Sequence, residues 1–257
     1  MITTSKESGL GDQLYVSGYD LSGDVGSLSL IACPRPTLPA TGISSNARER
    51  LQGLSDGEIA FSTYFNDADD AEHEVLKARA AIEYVMYFRG TTLGNPAAML
   101  VALQTSYDWT RSQDGSLLGA IQCLSKGAIG ASPVNKGLEW GTMITAGKIT
   151  HSSATSTTGE VTAQTTAGYA AQCQIFSLAS GTPTITIEDS SDTTNGTDGT
   201  WATLEAFSIN SAQTSERIEG SGTVDKGLRV TTTGTFSNLV FAVALRRGLS
   251  VDSVAYV

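Results

Sequence analysis

Apolar and polar residues alternate with a period of two in segment after segment. This habit fixes the fold class, because only strands with two unlike faces read that way. The stretch "GYDLSGDVGSLSLI" opens with Gly and Asp punctuation and then alternates from Gly26 to Leu30. In "GEIAFSTYF" one face carries Ile59, Phe61, Thr63 and Phe65, and the other Glu58, Ala60, Ser62 and Tyr64. "IEYVMYF" places Ile82, Tyr84, Met86 and Phe88 together. "AAMLVALQTSY" is apolar on both faces, which predicts a strand covered on both sides. Further strands are predicted at 116–124 and 138–148. "DG", "GN" and "KG" pairs mark the turns, so the whole reads as antiparallel sheet.

One segment breaks the pattern. "NDADDAEHEVLKARAAI" has Ala68, Ala71, Val75, Ala78 and Ile82 at helical spacing, Asn66 or Asp67 placed to cap, and Lys77 and Arg79 in the last turn. This predicts a helix over 68–79. From Cys33 to Asp56 runs "CPRPTLPATGISSNARERLQGLSD", a long connection with three prolines and a short possible helix. Connections of that length are unusual within a domain and often serve function or reach a neighbour. Residues 150–168 are small and polar and read as a boundary. Strands then resume at 170–178, 184–189, 200–209, 227–233 and 238–247, the last with Leu239, Phe241, Val243 and Leu245 on one face. Short strands at near-regular spacing predict a β-sandwich there.

Charge excludes some functions. Charged residues are only 16% of the 257, below the quarter usual in globular domains, and the formal net charge is −10. Residues 1–150 hold 16 acids against 11 bases and the remainder 10 against 5, so each part carries −5. Gripping phosphates needs a basic patch, and neither Arg48 with Arg50 nor Arg246 with Arg247 makes one. Cys33, Cys123 and Cys173 are odd in number, far apart and without a CxxC, which argues against a disulfide framework or a zinc site. "MITTSKESGLGDQ" lacks the apolar core of a signal peptide, and no run of about 20 apolar residues predicts a membrane span.

Catalytic chemistry finds little to stand on. His73 falls on the polar face of the predicted helix and His151 in the boundary segment, with no GxSxG elbow to support a triad. Asp67, Asp69, Asp70, Glu72 and Glu74 read as a helix N-terminus. "DSSDTTNGTDG" at 189–199 has oxygen ligands at short intervals but lacks the downstream Glu of a calcium loop, so it reads as a polar hairpin loop. "GAIGASPVNKG" is not a phosphate cradle. The chain is therefore expected to hold no catalytic residue, metal or cofactor. Tyr15, Tyr19, Trp109, Trp140 and Trp201 are read first as packing, and second as a sugar-binding surface.

"LYVSGYDLSGDVGSLSLI", "GEIAFSTYFN", "FRGTTLGNPAAMLVALQTSYDWTRSQDGSL" and "GLEWGTMITAGK", in that order, resemble the major tail tube proteins of long-tailed, non-contractile bacteriophages. The likeness covers about residues 12–150. "TITIEDSSD" and "KGLRVTTTGTFSNLVFAVALRR" resemble the β-sandwich appended to many such proteins. Trp109 departs from the pattern, standing at a turn where a small residue or Pro is expected, and "LSKGAIGASPVNKG" is longer than a tight connection.

The resemblance implies a mainly β protein. Residues 1–150 would form a tail-tube β-sandwich or split barrel with one flanking α-helix, 151–168 a linker, and 169–257 an outer, immunoglobulin-like or carbohydrate-binding-like β-sandwich. It implies a homo-oligomer of six copies per ring, stacked into a tube, assembled in the host cytoplasm and ending in the virion tail. Partners would be the tape measure, terminator and baseplate or tip proteins, with no membrane, and DNA would pass through the lumen without specific binding. Acids on tube-domain strands or turns, Glu58, Glu83, Asp114 and Glu139, are the lumen candidates. Trp201 is the outer-domain aromatic candidate for host-surface glycans. The alternative reading of the whole chain is a carbohydrate-binding module or adhesin.

Overall fold

The computed structural model describes residues 8–44, 46–78, 82–127 and 137–248. In chain order the elements are β1 (Gln13–Val16), β2 (Tyr19–Asp20), β3 (Val25–Ala32), β4 (Thr37–Pro39), β5 (Arg50–Gln52), β6 (Glu58–Tyr64), α1 (Glu72–Leu76), β7 (Glu83–Phe88), β8 (Pro96–Arg111) and β9 (Leu117–Ser125). They continue as β10 (Glu139–Met143), β11 (Ile149–His151), β12 (Thr155–Ser156), β13 (Glu160–Val161), β14 (Tyr169–Gly181), β15 (Thr184–Ser190), β16 (Ala202–Ala206), β17 (Thr214–Gly220), β18 (Gly227–Thr233) and β19 (Phe236–Arg247). The protein is mainly β, of the β-sandwich class, and no described sheet closes into a barrel. No described helix is long and apolar enough to cross a membrane.

Two compact units are interleaved in sequence. One comprises Met1–Gly23, Met86–Met99 and Trp140–Val257; the other comprises Asp24–Val85 and Leu100–Glu139. Strands β7, β8 and β10 each begin in one and end in the other.

In the first unit β14 pairs with both β17 and β19, and β10 and β11 also pair with β19. A second sheet runs β12-β18-β15-β16, with β13 on β18. Strand β19 explains the arrangement. Phe241, Val243 and Leu245 join Cys173 and Ile175 of β14, Ile185 and Ile187 of β15 and Leu228 and Val230 of β18 in one core. The intervening Ala242 and Ala244 join Tyr15, Met86, Phe88, Met99 and Met143 in another. A strand walled on both faces reads as a continuous apolar run, here with large residues on one side and small on the other. The β1–β2 hairpin turns through Ser17 (φ 49°) and Gly18 (φ 87°), the backbone pattern of the tight hairpin turn. A Cβ on Gly18 would lie 2.7 Å from the Gln213 backbone, so only glycine fits.

The second unit holds a four-stranded sheet. Strand β6 pairs with β3 and β9, and β9 pairs with the C-terminal part of β8. Strands β4 and β5 form a separate two-stranded hairpin.

Three readings of the sequence need correction. The helix is α1, five residues instead of 68–79, because Asp70 takes a left-handed φ of 62° and breaks the turn before it. Residues 79–81 lie outside the described chain. The first N–H of α1 is capped from a distance, Glu72 N donating to Asp24 Oδ2 at 3.2 Å, while Asn66 Oδ1 takes Ala68 N. Trp109 stands in β8, not at a turn; the hairpin turns at Ser112–Ser116, where Ser112 N donates to Ser116 O. The segment 151–168 is not loose linker, since His151 pairs with Leu239, Thr155 with Thr232, and Glu160 with Leu228. Backbone pairing needs no apolar side chains, so a polar stretch can still be strand. The long "GAIGASPVNKG" connection falls mostly on residues 128–136, outside the described chain.

Candidate functional site

The four-stranded sheet has unlike faces, and its register lays them out row by row. Leu30, Ala60, Gln122 and Ser106 stand in one row; Ser27, Ser62, Ala120 and Asp108 in the next; Tyr64, Leu118 and Thr110 in a third. Ala32, Glu58, Leu124 and Leu103 complete this face. It is open: Leu30 is 43%, Leu103 44% and Tyr64 57% exposed. Hydroxyl and amide groups tie its rows together, with Ser27 Oγ 2.8 Å from Ser62 Oγ and Gln122 Nε2 donating to Glu58 Oε1 at 2.7 Å. Only two charged side chains occupy these rows, Glu58 and Asp108, and both are acidic.

The alternate rows are the buried face. Ile59, Phe61, Thr63, Ile121, Cys123 and Gln104 are at most 4% exposed. Helix α1 covers this side: Gln104 Nε2 donates to Leu76 O at 3.1 Å, and His73 Nδ1 lies 2.6 Å from Tyr107 Oη. Phe65, His73, Tyr107 and Trp109 form a chain of ring contacts at 4.8–6.0 Å. Burial, with Glu83 adding its charge, pushes the Cys123 thiol up to about 12, so it is packing and not a nucleophile.

Between β3 and β6 the chain leaves the sheet as a hairpin arm. Leu38 pairs with Leu51 across β4 and β5, and both remain exposed, at 53% and 60%. Ile43 and Leu54 are more exposed still. At the base of the arm a groove of about 660 Å³ is lined by Pro34, Pro36, Leu54, Asp56 and their neighbours, and Cys33 Sγ lies 2.8 Å from Ser55 Oγ.

The structure does not bring the four acid candidates together. Glu58 stands on the open face. Asp114 is exposed at the β8–β9 turn, where hydrogen bonds from Ser116 N and Oγ at 3.0 and 2.8 Å hold its carboxyl below the usual range. Glu83 and Glu139 are buried at 2% and 3% at the starts of β7 and β10, so neither faces solvent in the single chain. Asp108 is the acid that sequence reasoning missed. The signal was the alternation of β8, but a bulge between Gln104 and Ser106 shifts the register there.

Trp201 is packed. The Arg229 guanidinium lies 4.3 Å from its ring centroid, its Nε1 donates to Asp198 O at 3.0 Å, and the Gly159 and Gly227 backbones approach its edge. The ring is half-buried, with one face taken by Arg229. His151 is a core histidine: its Nδ1 lies 2.7 Å from Thr232 Oγ1, and burial lowers its pKa. In the 189–199 loop the Asp198 carboxylate already takes Thr193 Oγ1, Thr194 N and Oγ1, and Asn195 N. That loop is a self-closed polar turn, and no described group of acids, His and Cys is placed to hold a metal.

No family model matches the chain, and no curated protein matches it. Solved structures resemble it loosely. A chain of the virion of a native gene transfer agent particle has 18% identity over 48% of this chain and 96% of that one, at a TM-score of 0.39. A chain of the tail of an empty gene transfer agent particle, of C6 symmetry, has 18% identity over 50% and 99%, at 0.37. The Dit protein of phage SPP1 has 8% identity over 92% and 99%, at 0.31. At these scores none of the likenesses carries an argument about what this chain does.

Proposed function

We propose that the chain is a structural subunit of a phage tail tube, in which copies close into rings of six and rings stack around a bore that passes DNA. The observation that carries this reading is the open face of the β3-β6-β9-β8 sheet. It is broad, tied by side-chain hydroxyls and amides, and charged only by acids, which suits a wall past which phosphates slide without being held. Strand β3 pairs with β6 alone among the described strands. An uncovered outer edge is a hazard in a monomer that pairing with a second copy removes. The hairpin arm adds a second contact, because Leu38, Ile43, Leu51 and Leu54 stand exposed where a neighbour would cover them.

In this reading residues 1–150 supply the tube wall and 169–257 the outward part, while Glu58 and Asp108 face the bore. The protein reaches its place in the virion tail by assembling in the host cytoplasm, beside tape-measure, terminator and tip proteins. Negative-stain microscopy of the concentrated, purified chain tests it. Rings or hollow tubes of sixfold symmetry are expected; a population of monomers alone would overturn the reading.

A further inference from the structure

Helix α1 is seated on the sheet by a residue that burial should reject. Glu72 is fully buried, and neither carboxyl oxygen makes a hydrogen bond of normal geometry. Thr63 Oγ1 beside it is buried and likewise makes no hydrogen bond of normal geometry, although it and the Tyr107 hydroxyl stand close enough to favour the charged form. A buried carboxylate is costly unless paired, and the usual escape is to hold a proton. An acid beside it makes ionisation harder: Asp24 reaches in from the turn before β3, its Oδ2 taking Glu72 N and its Oδ1 taking Asn66 Nδ2 at 2.8 Å.

Other ionisable groups border this site. Strand β8 contributes Tyr107, whose hydroxyl is engaged by His73, and Arg111 at its exposed end. Strand β9 contributes the buried Cys123 thiol, while β6 presents only Ile59, Phe61 and Thr63 on this face. On the helix itself Glu74 is held by Lys77 at 2.6 Å in an exposed pair. Burial, reinforced by the charge of Asp24 and tempered by Thr63 and Tyr107, pushes the Glu72 carboxyl up to about 7.

We propose that Glu72 is a proton-controlled latch: as a neutral acid it holds α1 against the sheet, and as a carboxylate it loosens the helix. The helix is suited to release. It is five residues long, below the length at which a helix persists without packing. The latch works through the cost of one buried charge. A group whose folded-state pKa is raised binds more protons folded than unfolded. Docking is therefore strongest at low pH and weakens as pH rises through the window from about 4.5 to about 7.

The test uses the full chain. Amide hydrogen exchange of residues 72–77, corrected for intrinsic rates, is followed from pH 5.5 to 8.5 in the wild type and in Glu72→Gln. Protection in the wild type should fall about tenfold or more, and the Glu72→Gln profile should be flat. An unchanging wild-type profile would overturn the latch. So would an equal fall in Glu72→Gln, which would show that the effect does not belong to this carboxyl. Should that variant fail to fold, carbon-detected NMR titration of the wild-type Glu72 carboxyl decides: a midpoint near 7 supports the latch, and one in the ordinary carboxylate range removes it.

Discussion

Trp109 lies across Gly119: a Cβ built on Gly119 would meet the indole Cη2 and Cζ2 at 3.0 Å and Thr63 Oγ1 at 2.9 Å. The three residues are cross-strand neighbours, Thr63 opposite Gly119 and Gly119 opposite Trp109. The glycine gives the sheet a flat spot, and the tryptophan covers it, an aromatic-over-glycine device. Gly119→Val should therefore overpack the site and cost about 1–3 kcal/mol in chemical denaturation. Assembly, where it is measured, should fail only as far as folding does.

The β1–β2 turn makes a sharper demand. Gly18→Ala places a methyl against the Gln213 backbone in a left-handed conformation and strains the Gly18 N–H bond to Gln174 Oε1, now 2.9 Å. A loss of at least about 1–3 kcal/mol is expected from thermal melts. Gly222→Ala, with positive φ but open space around it, should cost less.

The arm separates stability from association. Leu38→Asp combined with Leu51→Asp alters two exposed side chains, so the melting of the monomer should move by no more than about 0.5 kcal/mol. Sedimentation should nevertheless show loss of the oligomer. An unchanged oligomer would remove the arm from the interface.

The open face predicts a charge effect. Glu58→Lys with Asp108→Lys should leave the fold intact. Assembled wild type should not co-sediment with double-stranded DNA, while the doubly basic assembly should retain it in a salt-dependent manner, because retention then works by neutralising phosphates. Equal behaviour of the two would place this face away from the bore.

His151 gives a pH dependence of opposite sign to that of Glu72. Burial lowers its folded-state pKa, so the unfolded chain takes the proton more readily. The stability it contributes is complete above about 6.5 and is lost as pH falls below that value. Denaturant midpoints of His151→Gln should thus decline less between pH 7 and pH 5 than those of the wild type.

Strands with one dominant period were legible in the sequence. The alternation in β6, the one-faced apolar pattern of β19 and the doubly apolar run of β8 placed these elements within a few residues. What escaped had a physical reason. Strand β17, "TSERIEG", mixes charge and half-burial at a sheet edge, so no face stands out. Three prolines hid the β4–β5 hairpin, whose pairing involves only three residues a side. Glu83 and Glu139 sit at the first position of their strands, where alternation cannot tell inward from outward until the partner strand is known. Asp108 lay beyond a bulge, which shifts the register of everything after it.

Strand β19 has a consequence for how the protein is made. It serves as a party wall, supplying aromatic and branched residues to one interior and alanines to the other, and it stands near the end of the described chain. Neither interior can be roofed until residues 236–247 have left the ribosome. A polypeptide interrupted before that point would leave two hydrophobic chambers open at once, exposed to cellular proteases.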